Sequence, residues 1–218
     1  MKIRPCGDSM LLVELEPLID PIVNERAILL GERVRARAVR GVRDVVPGYC
    51  TVGIHFDPLQ ADLAALERAV EIECASLEHQ DSVAERAAIE IAVRYGGPFG
   101  PDLDDVARHA GWTTADVIAR HSERTYRVYM LGFVPGFAYM GRVDPLIAMP
   151  RHRVPREKVP AGSVGIAGLQ TGVYPVESPG GWQLIGHTDA VMFDARRSQP
   201  SLLAAGDLVR FVPAGAMK

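Results

Sequence analysis

The sequence lacks the features that mark disulfide-stabilised, zinc-binding and membrane-spanning proteins. Its three cysteines stand far apart, without a CxxC pair or a nearby histidine cluster, so neither a disulfide framework nor a zinc knuckle is indicated. No apolar stretch approaches the roughly 20 residues of a membrane-spanning helix. The charged N-terminus is not followed by the apolar segment of a signal peptide. We therefore expect a soluble cytoplasmic protein without a bound metal or a membrane contact.

Catalytic signatures are missing as well. The sequence contains no GxxxxGK[ST] phosphate-binding loop, no GxSxG nucleophile motif, no HExxH zinc motif and no kinase catalytic loop. Lysine is scarce, with three lysines among 24 basic residues, and Lys158 is the only one away from the termini. Because no complete catalytic constellation is present, we expect the chain to act together with a partner and not alone.

The charge is too evenly balanced for a protein that binds nucleic acid. The net charge is −3; residues 1–95 contain 16 acidic and 11 basic side chains, whereas residues 96–218 contain 11 acidic and 13 basic ones. A surface that binds nucleic acid needs a much larger local excess of arginine and lysine. The mildly basic second part suits instead a small anionic ligand or the acidic surface of a partner.

The first 95 residues are predicted to form a small α+β domain. The spacing of apolar residues predicts a strand, a helix, two strands around a Pro-Gly turn, a second helix and a closing strand, at residues 10–15, 21–39, 42–56, 59–77 and 87–95. The order β-α-β-β-α-β is that of a ferredoxin-like α/β sandwich. We expect residues 1–95 to fold as this domain.

A cluster rich in proline and glycine at residues 95–101 marks the predicted domain boundary. Two short helices are predicted after it, at residues 102–110 and 114–124. Ten of the 21 glycines and seven of the 16 prolines lie in residues 132–186, where they separate short apolar runs. Short strands joined by tight turns predict a closed or nearly closed β-barrel in residues 96–218.

Two segments of the second part carry side chains suited to a ligand. Residues 130–141 interleave three glycines and a proline with three aromatic residues, which either line an apolar ligand wall or form a tightly turned core strand. Residues 150–160 hold five basic side chains, one of them a histidine, between prolines. This segment is either a solvated charged loop or an anion clamp in which Arg151 and Arg156 grip a carboxylate or phosphate. Lys158 is its candidate catalytic cation.

A glycine-rich segment follows at residues 161–175. Its backbone N–H groups form either an anion-binding nest, with the side chains of Ser163 and Gln170 as hydrogen-bonding groups, or a barrel hairpin that needs positive φ angles. Tyr174 stands at the end of the same segment. We count Ser163, Gln170 and Tyr174 among the candidate substrate- or anion-binding residues.

The last such segment is residues 178–188. Trp182 follows two glycines and either stacks on a planar ligand or plugs the fold. His187 is a candidate acid or base near neutral pH. A triad of Ser163, His187 and an aspartate has no support in the spacing. The candidate catalytic residues are thus Lys158 and His187, and the candidate binding residues are Arg151, Arg156, Ser163, Gln170, Tyr174 and Trp182.

Taken in order along the chain, these segments match the landmarks of one protein family. The matching blocks are Gly7-Asp8, Tyr95-Gly96-Gly97, Gly100-Pro101-Asp102-Leu103, Gly132-Phe133-Val134-Pro135-Gly136-Phe137, Pro150-Arg151, Pro160-Ala161-Gly162-Ser163-Val164-Gly165, Gln170-Thr171-Gly172-Val173-Tyr174-Pro175, Ser178-Pro179-Gly180-Gly181-Trp182 and Gly206-Asp207. The chain resembles the allophanate hydrolase subunit 1 family, which includes B subunits of bacterial 5-oxoprolinase and KipI-type inhibitors of a histidine kinase. The resemblance covers nearly the whole chain.

This resemblance implies a cyclophilin-like barrel and a subunit that is not active by itself. The implied reaction is the opening of 5-oxoproline to glutamate with hydrolysis of ATP. The implied partners are the allophanate hydrolase subunit 2 protein, which is the C subunit of 5-oxoprolinase, and an A subunit of the LamB/YcsF type. Two alternatives stay open: a carboxyltransferase component of a biotin-dependent urea or amide carboxylase, and a KipI-like inhibitor of a sensor histidine kinase.

One position departs from the family pattern. The sequence has Gly186-His187-Thr188 where the family usually has Gly-Arg-Thr. If that arginine holds an anion in the relatives, this chain is expected to bind the anion more weakly, with a pH dependence set by the imidazole.

Overall fold

The structure is a computed structural model, and it describes residues 1–77 and 81–214. The chain divides into two compact units, Met1–Glu85 and Arg86–Lys218. In the part of the chain that is described, no helix combines the length and the apolar character that a bilayer span requires.

The first unit is a four-stranded sheet with two helices. Its elements are β1 (Lys2–Pro5), β2 (Met10–Glu14), α1 (Pro21–Ala36), β3 (Val42–Pro47), β4 (Thr51–Phe56) and α2 (Leu63–Ser76). The strand order is β1-β2-β4-β3, and all neighbours are antiparallel. Buried side chains from both helices and from β2, β3 and β4 form one hydrophobic core.

Helix α1 begins where the sequence provides a cap. Asp20 Oδ1 accepts hydrogen bonds from the backbone N–H groups of Ile22 (2.8 Å) and Val23 (3.2 Å). Pro21 occupies the first turn, where a missing N–H does not cost a helical hydrogen bond. These local signals explain why the start of this helix was predictable from the sequence.

The predicted ferredoxin-like order of this unit is not confirmed, although both helices and the strand pair within residues 42–56 are present. The N-terminal segment forms the hairpin β1–β2 and not a single strand, because the chain reverses at Gly7. The strand predicted to close the sheet, residues 87–95, lies in the second unit. The observed order is therefore β-β-α-β-β-α.

The second unit is built on a closed barrel of seven strands. The described part of this unit contains the strands β5 (Ala88–Tyr95), β6 (Thr125–Leu131), β7 (Ala138–Gly141), β8 (Arg156–Val159), β9 (Ser163–Ala167), β10 (Gln170–Val173), β11 (Ser178–Gly180), β12 (Gln183–His187) and β13 (Leu208–Pro213). Its α-helices are α3 (Leu103–Ala110) and α4 (Thr114–Ser122). The barrel order is β10-β7-β6-β13-β5-β12-β9, closed by pairing of β9 with β10. Strands β8 and β11 form a separate two-stranded sheet. The predicted barrel is confirmed.

The predicted boundary at residue 95 needs correction, because β5 belongs to the barrel. It pairs in parallel with β13 from Ala88 to Val93, and its side chains Ile91 and Val93 lie in the barrel core. The glycine-rich cluster that follows β5 is a turn inside the second unit. Glycine is required at position 100 of this turn, because a β-carbon there would overlap the carbonyl oxygen of Ile185. The boundary between the two units along the chain lies instead between residues 85 and 86. Residues 215–218 of the predicted second domain lie outside the described residues.

Inside the barrel unit, His121 is fully buried and both of its ring nitrogens are hydrogen-bonded. Nδ1 lies 2.7 Å from Tyr95 Oη and Nε2 lies 2.8 Å from Thr171 Oγ1. Since Thr171 donates its hydroxyl proton to the carbonyl oxygen of Gly165 (3.0 Å), it accepts from Nε2–H of His121, and Tyr95 donates to Nδ1. Burial lowers the pKa of His121 to about 3. The residue is a neutral part of the core.

Candidate functional site

A cavity of about 270 Å³ opens in the barrel unit where four connections come together. It is bounded by the loop between β6 and β7, the basic loop before β8, the end of β10, and β11 with the residues that follow it. The lining side chains are mainly aromatic, with two basic groups: Phe133, Phe137, Tyr139, Arg151, His152, Pro155, Tyr174, Pro179, Gly180, Gly181 and Trp182. An aromatic cavity with few polar groups is typical of a small-molecule site.

The wall of the cavity is a set of aromatic rings packed edge to face. Phe137 is the central ring: its centroid lies 4.9 Å from Tyr139, 5.3 Å from Tyr174 and 5.3 Å from Trp182. Phe137, Tyr174 and Trp182 are almost completely buried. Because each ring is fixed by its neighbours, the wall is preorganised, and a ligand that enters meets it at little entropic cost. The glycine- and aromatic-rich segment at residues 130–141 therefore supplies a cavity wall as well as core.

Phe133 stands at the rim of this wall in a strained conformation. Its φ angle is 68°, in the left-handed region that residues other than glycine rarely adopt, and its side chain is 59% exposed. A tight turn imposes this angle: Gly132 N–H donates to Phe137 O at 3.1 Å, and Phe137 N–H donates to Val134 O at 3.0 Å. The ring contacts Phe137 at an angle of 83°. The strained turn holds an exposed aromatic side chain over the cavity.

The polar side of the cavity comes from the basic loop. The guanidinium carbon of Arg151 lies 5.9 Å from the centre of the Trp182 ring, and the side chain is otherwise exposed. The neighbouring His152 is fixed through its backbone, since its N–H donates to Gly181 O at 2.7 Å. Burial raises the pKa of Tyr174, whose phenol therefore stays neutral and able to hydrogen-bond at physiological pH.

Behind the cavity lies a buried carboxylate, Asp102. Its Oδ1 accepts from Nη2 of Arg156 at 2.6 Å. Its Oδ2 accepts from the backbone N–H of Leu184 at 2.6 Å and lies 3.2 Å from Nε2 of His152. Asp102 is only 4% exposed, so these contacts form in an environment of low dielectric, where they are strong. One carboxylate thus fixes both His152 and Arg156.

The cavity gathers three of the eight predicted site residues, and a fourth lies next to it. Arg151, Tyr174 and Trp182 line the cavity. Arg156 does not line the cavity; its Nη2 bonds to Asp102 behind it, while its Nη1 has no hydrogen-bond partner among the described residues. A binding role for Arg156 stays a prediction.

Lys158 and Gln170 lie outside the cavity. Lys158 is exposed on β8 and forms an ion pair with Glu177 at 3.4 Å. Gln170 is half-buried on β10, opposite Gly141 and Ala167. A catalytic role for Lys158 and a binding role for Gln170 stay predictions.

Ser163 and His187 also lie outside the cavity, opposite each other on β9 and β12. Nε2 of His187 donates to the carbonyl oxygen of Ala161 at 2.9 Å, and Nδ1 lies 3.7 Å from Asp189 Oδ1. The ring braces the turn at Gly162, whose φ is 81° and where a β-carbon would overlap the Thr188 carbonyl oxygen. A catalytic role for His187 and a binding role for Ser163 stay predictions.

The amides of that turn are already used by the protein. Gly162 N–H donates to Tyr174 O at 2.7 Å, and Ser163 N–H donates to Pro160 O at 3.3 Å. Because these donors are occupied, the arrangement supports the hairpin interpretation of residues 161–175 and not the anion nest.

Sequence reasoning missed Asp102 and did not separate His152 from its basic neighbours. Asp102 directly precedes α3, and an aspartate at that place normally caps the helix. Here its side chain makes no capping hydrogen bond and turns to Arg156, Leu184 and His152 instead. Nothing in the local sequence distinguishes the two uses.

Comparisons with known proteins agree with this structure over nearly its whole length. A family described as the carboxyltransferase domain, subdomain C and D, matches residues 1–203. The B subunit of the 5-oxoprolinase of Bacillus subtilis is 38% identical over 221 residues, covering 97% of this chain and 92% of that protein. The B subunit of the Escherichia coli O157:H7 5-oxoprolinase is 43% identical over 210 residues, covering 95% of this chain and 93% of that protein.

Solved structures show the same fold in longer chains. The crystal structure of TTHA0988 superimposes with a TM-score of 0.84 at 36% identity and covers 98% of this chain. This chain spans only 41% of the length of that one. The urea carboxylase of Kluyveromyces lactis shares the fold, with a TM-score of 0.75 at 22% identity over 98% of this chain and 22% of that one. By its family match and its near full-length relatives, the chain belongs to the family of the carboxyltransferase domain, subdomain C and D, together with the 5-oxoprolinase B subunits.

Proposed function

We propose that this chain is the B-type subunit of an ATP-dependent 5-oxoprolinase and that its cavity binds the lactam. The reaction converts 5-oxoproline, ATP and two water molecules to glutamate, ADP and phosphate. The observation that carries the proposal is identity of 38–43% to B subunits over nearly the full length of both proteins. Identity at that level and coverage supports a shared role more strongly than fold likeness alone.

The cavity fits the chemistry of 5-oxoproline. That ligand is a flat five-membered lactam ring with one carboxylate. The volume of about 270 Å³ is slightly below the roughly 300–1,000 Å³ of typical ligand pockets, which suits a small metabolite. The rings of Phe137 and Trp182 offer an apolar surface to the lactam ring. Arg151, exposed beside Trp182, is placed to pair with the carboxylate.

ATP is assigned in this proposal to the assembled complex and not to the cavity. The chain has no phosphate-binding loop, and the cavity has room for a small ligand only. We therefore propose that a C-type partner (allophanate hydrolase subunit 2) and an A-type partner of the LamB/YcsF kind supply the nucleotide site, and that the isolated chain has no activity.

A second candidate function is carboxyl transfer to urea or a related amide. The observation that favours it is the family description itself, together with the fold shared with a urea carboxylase. A planar amide would fit the same aromatic cavity, but the carboxyl group would have to arrive on a biotin carrier from another protein.

Reconstitution separates these candidates. The chain is combined with the C-type and A-type partner proteins encoded in the same genome, and ATP hydrolysis is measured with and without 5-oxoproline. The proposal expects 5-oxoproline-dependent release of phosphate and glutamate that disappears when any one component is left out. A complex that forms yet shows no such dependence would overturn it. Carboxylation of urea by the complex with a carboxylated biotin carrier would then support the second candidate function. Inhibition of a sensor histidine kinase by the chain would support the KipI-like alternative.

A further inference from the structure

We propose that His152 is the residue that accepts and returns a proton in the cavity, and that Asp102 positions it for this task. The inference rests on the proposed function, since it assigns a step of lactam opening. It is carried by one juxtaposition: a buried carboxylate bonded to one nitrogen of a histidine that lines the aromatic cavity.

Hydrogen bonding fixes the tautomer of His152. Asp102 already accepts from Arg156 Nη2 and from the Leu184 N–H, so it behaves as a carboxylate that has no proton to donate. The 3.2 Å contact to His152 Nε2 is then a hydrogen bond from Nε2–H to Oδ2. The lone pair of the neutral ring is consequently on Nδ1. Among the described residues, no hydrogen-bond partner is found for that nitrogen.

This arrangement is that of a general base supported by an acceptor. When Nδ1 takes up a proton, the positive charge of the ring lies beside the Asp102 carboxylate, which stabilises it. Arg156 bonds the other carboxylate oxygen and fixes the group in place. The charged and titratable groups around His152 are thus Asp102 and Arg156 on one side, and Arg151 and the phenols of Tyr139 and Tyr174 among the residues that line the cavity.

The other described histidines of this unit do not offer the same chemistry. His121 is completely buried with both nitrogens bonded. His187 bonds the Ala161 carbonyl and lies outside the cavity. His109 is exposed on α3 and does not line the cavity.

The proton balance of lactam opening gives His152 two tasks. As a water oxygen forms its bond to the ring carbonyl carbon, the π electron pair of the carbonyl moves onto the carbonyl oxygen, and a water proton passes to Nδ1. When the bond between carbonyl carbon and ring nitrogen breaks, the same proton passes from Nδ1 to that nitrogen, which becomes the amine of glutamate. In the net reaction the second water takes the γ-phosphoryl group of ATP, giving phosphate and ADP, and other groups of the complex carry this transfer.

The test compares three variants in the reconstituted complex: His152→Gln, Asp102→Asn and the matched control His109→Gln. We expect His152→Gln to lower kcat for 5-oxoproline by at least about 100-fold, the lower end of the usual contribution of a general acid–base residue, with a smaller change in KM. We expect the wild-type kcat/KM to fall towards acidic pH, and this pH dependence should be absent in His152→Gln. His109→Gln should behave as the wild type.

Asp102→Asn tests the positioning role. An asparagine amide can donate to Nε2, which would place the ring proton on Nδ1, so kcat should fall and the acidic limb of the pH profile should shift. ¹⁵N NMR of the imidazole rings in the free chain, assigned by comparison with His152→Gln, should show His152 protonated at Nε2 in the wild type and not in Asp102→Asn. This measurement does not depend on activity.

The outcomes distinguish the two proposals. A wild-type complex without 5-oxoproline-dependent ATP hydrolysis contradicts the proposed function, and a His152 ring protonated at Nδ1 contradicts the positioning by Asp102. An active complex in which His152→Gln keeps the wild-type kcat and pH profile overturns the assignment of His152 alone.

Discussion

The barrel core around His121 and the cavity around His152 use the same side chain in opposite ways. In the core, Tyr95 and Thr171 occupy both ring nitrogens, and full burial keeps the ring neutral. At the cavity, a carboxylate holds one nitrogen of His152, and no described residue hydrogen-bonds the other. For these two histidines the difference lies in the number of bonded ring nitrogens, the charge of the partner and the presence of a cavity beside the ring.

The largest expected effect tests the core side of this comparison. Phe211 is fully buried and stacks on His121 at 4.7 Å. Phe211→Ala should lower the free energy of unfolding of the barrel unit by about 3–5 kcal/mol, because it removes a large side chain that the packed core cannot replace. Urea unfolding followed by tryptophan fluorescence measures it, since both tryptophans lie in this unit. A loss below about 1 kcal/mol would mean that this core is not close-packed.

The next effect concerns the pH dependence of stability. The pKa of His121 is about 3 in the folded chain against an ordinary value of 6.5. Between these values the unfolded chain binds a proton that the folded chain does not, so stability falls as the pH drops from 6.5 towards 3, by up to about 1.4 kcal/mol per pH unit from this residue.

Comparison with His121→Gln isolates that contribution. Glutamine keeps a hydrogen-bonding group but does not titrate, so the variant is expected to be less stable near neutral pH and to show a flatter decline in acid. Equal slopes for the two proteins between about pH 4 and 6 would show that His121 is not held neutral.

On the cavity side, Arg151→Ala should weaken binding of 5-oxoproline without affecting the fold. Loss of one charge-assisted hydrogen bond, about 1.5–3 kcal/mol, corresponds to an increase in KM of roughly 10- to 100-fold in the reconstituted complex. Arg153→Ala is the matched control, because Arg153 is exposed two residues away and does not line the cavity. Similar KM values for the two variants would contradict a carboxylate site at Arg151.

The smallest expected effect separates backbone strain from ring contact at Phe133. Phe133→Gly and Phe133→Ala both remove the exposed ring, but only glycine adopts a φ of 68° without strain. The glycine variant should therefore be more stable than the alanine variant by about 1 kcal/mol, while both raise the KM for 5-oxoproline. Equal unfolding free energies would show that the turn relaxes in the alanine variant.

The elements of this fold were more predictable than the sheet that each strand joins. The spacing of apolar residues and the turns rich in glycine and proline are local signals, so the helices and the strand-rich second part could be read from the sequence. Strand β5 was assigned to the wrong unit because its pairing with β13 joins residues about 120 positions apart, and nothing local specifies it.

At the level of the site, residue type predicted the segments but not the orientation of each side chain. Trp182 and Tyr174 line the cavity, as large aromatic residues beside glycines often do, and their binding role stays a prediction. His187 was favoured by its chemistry, yet β12 shifts register between Leu184 and Gly186, and such a bulge changes the face on which the following residues lie. Asp102 was missed because its partners, Arg156 and His152, are about 50 positions away.

Binding of 5-oxoproline at the cavity beside Trp182 can be measured directly. This chain alone is labelled with 5-fluorotryptophan and assembled with unlabelled partners, and the ¹⁹F spectrum is recorded during titration with 5-oxoproline. The chain has two tryptophans, and Trp112, which packs under Arg120 away from the cavity lining, is the internal control. We expect the Trp182 signal to shift with saturation while the Trp112 signal stays in place. A titration to saturating 5-oxoproline that leaves Trp182 unchanged would contradict binding at this cavity.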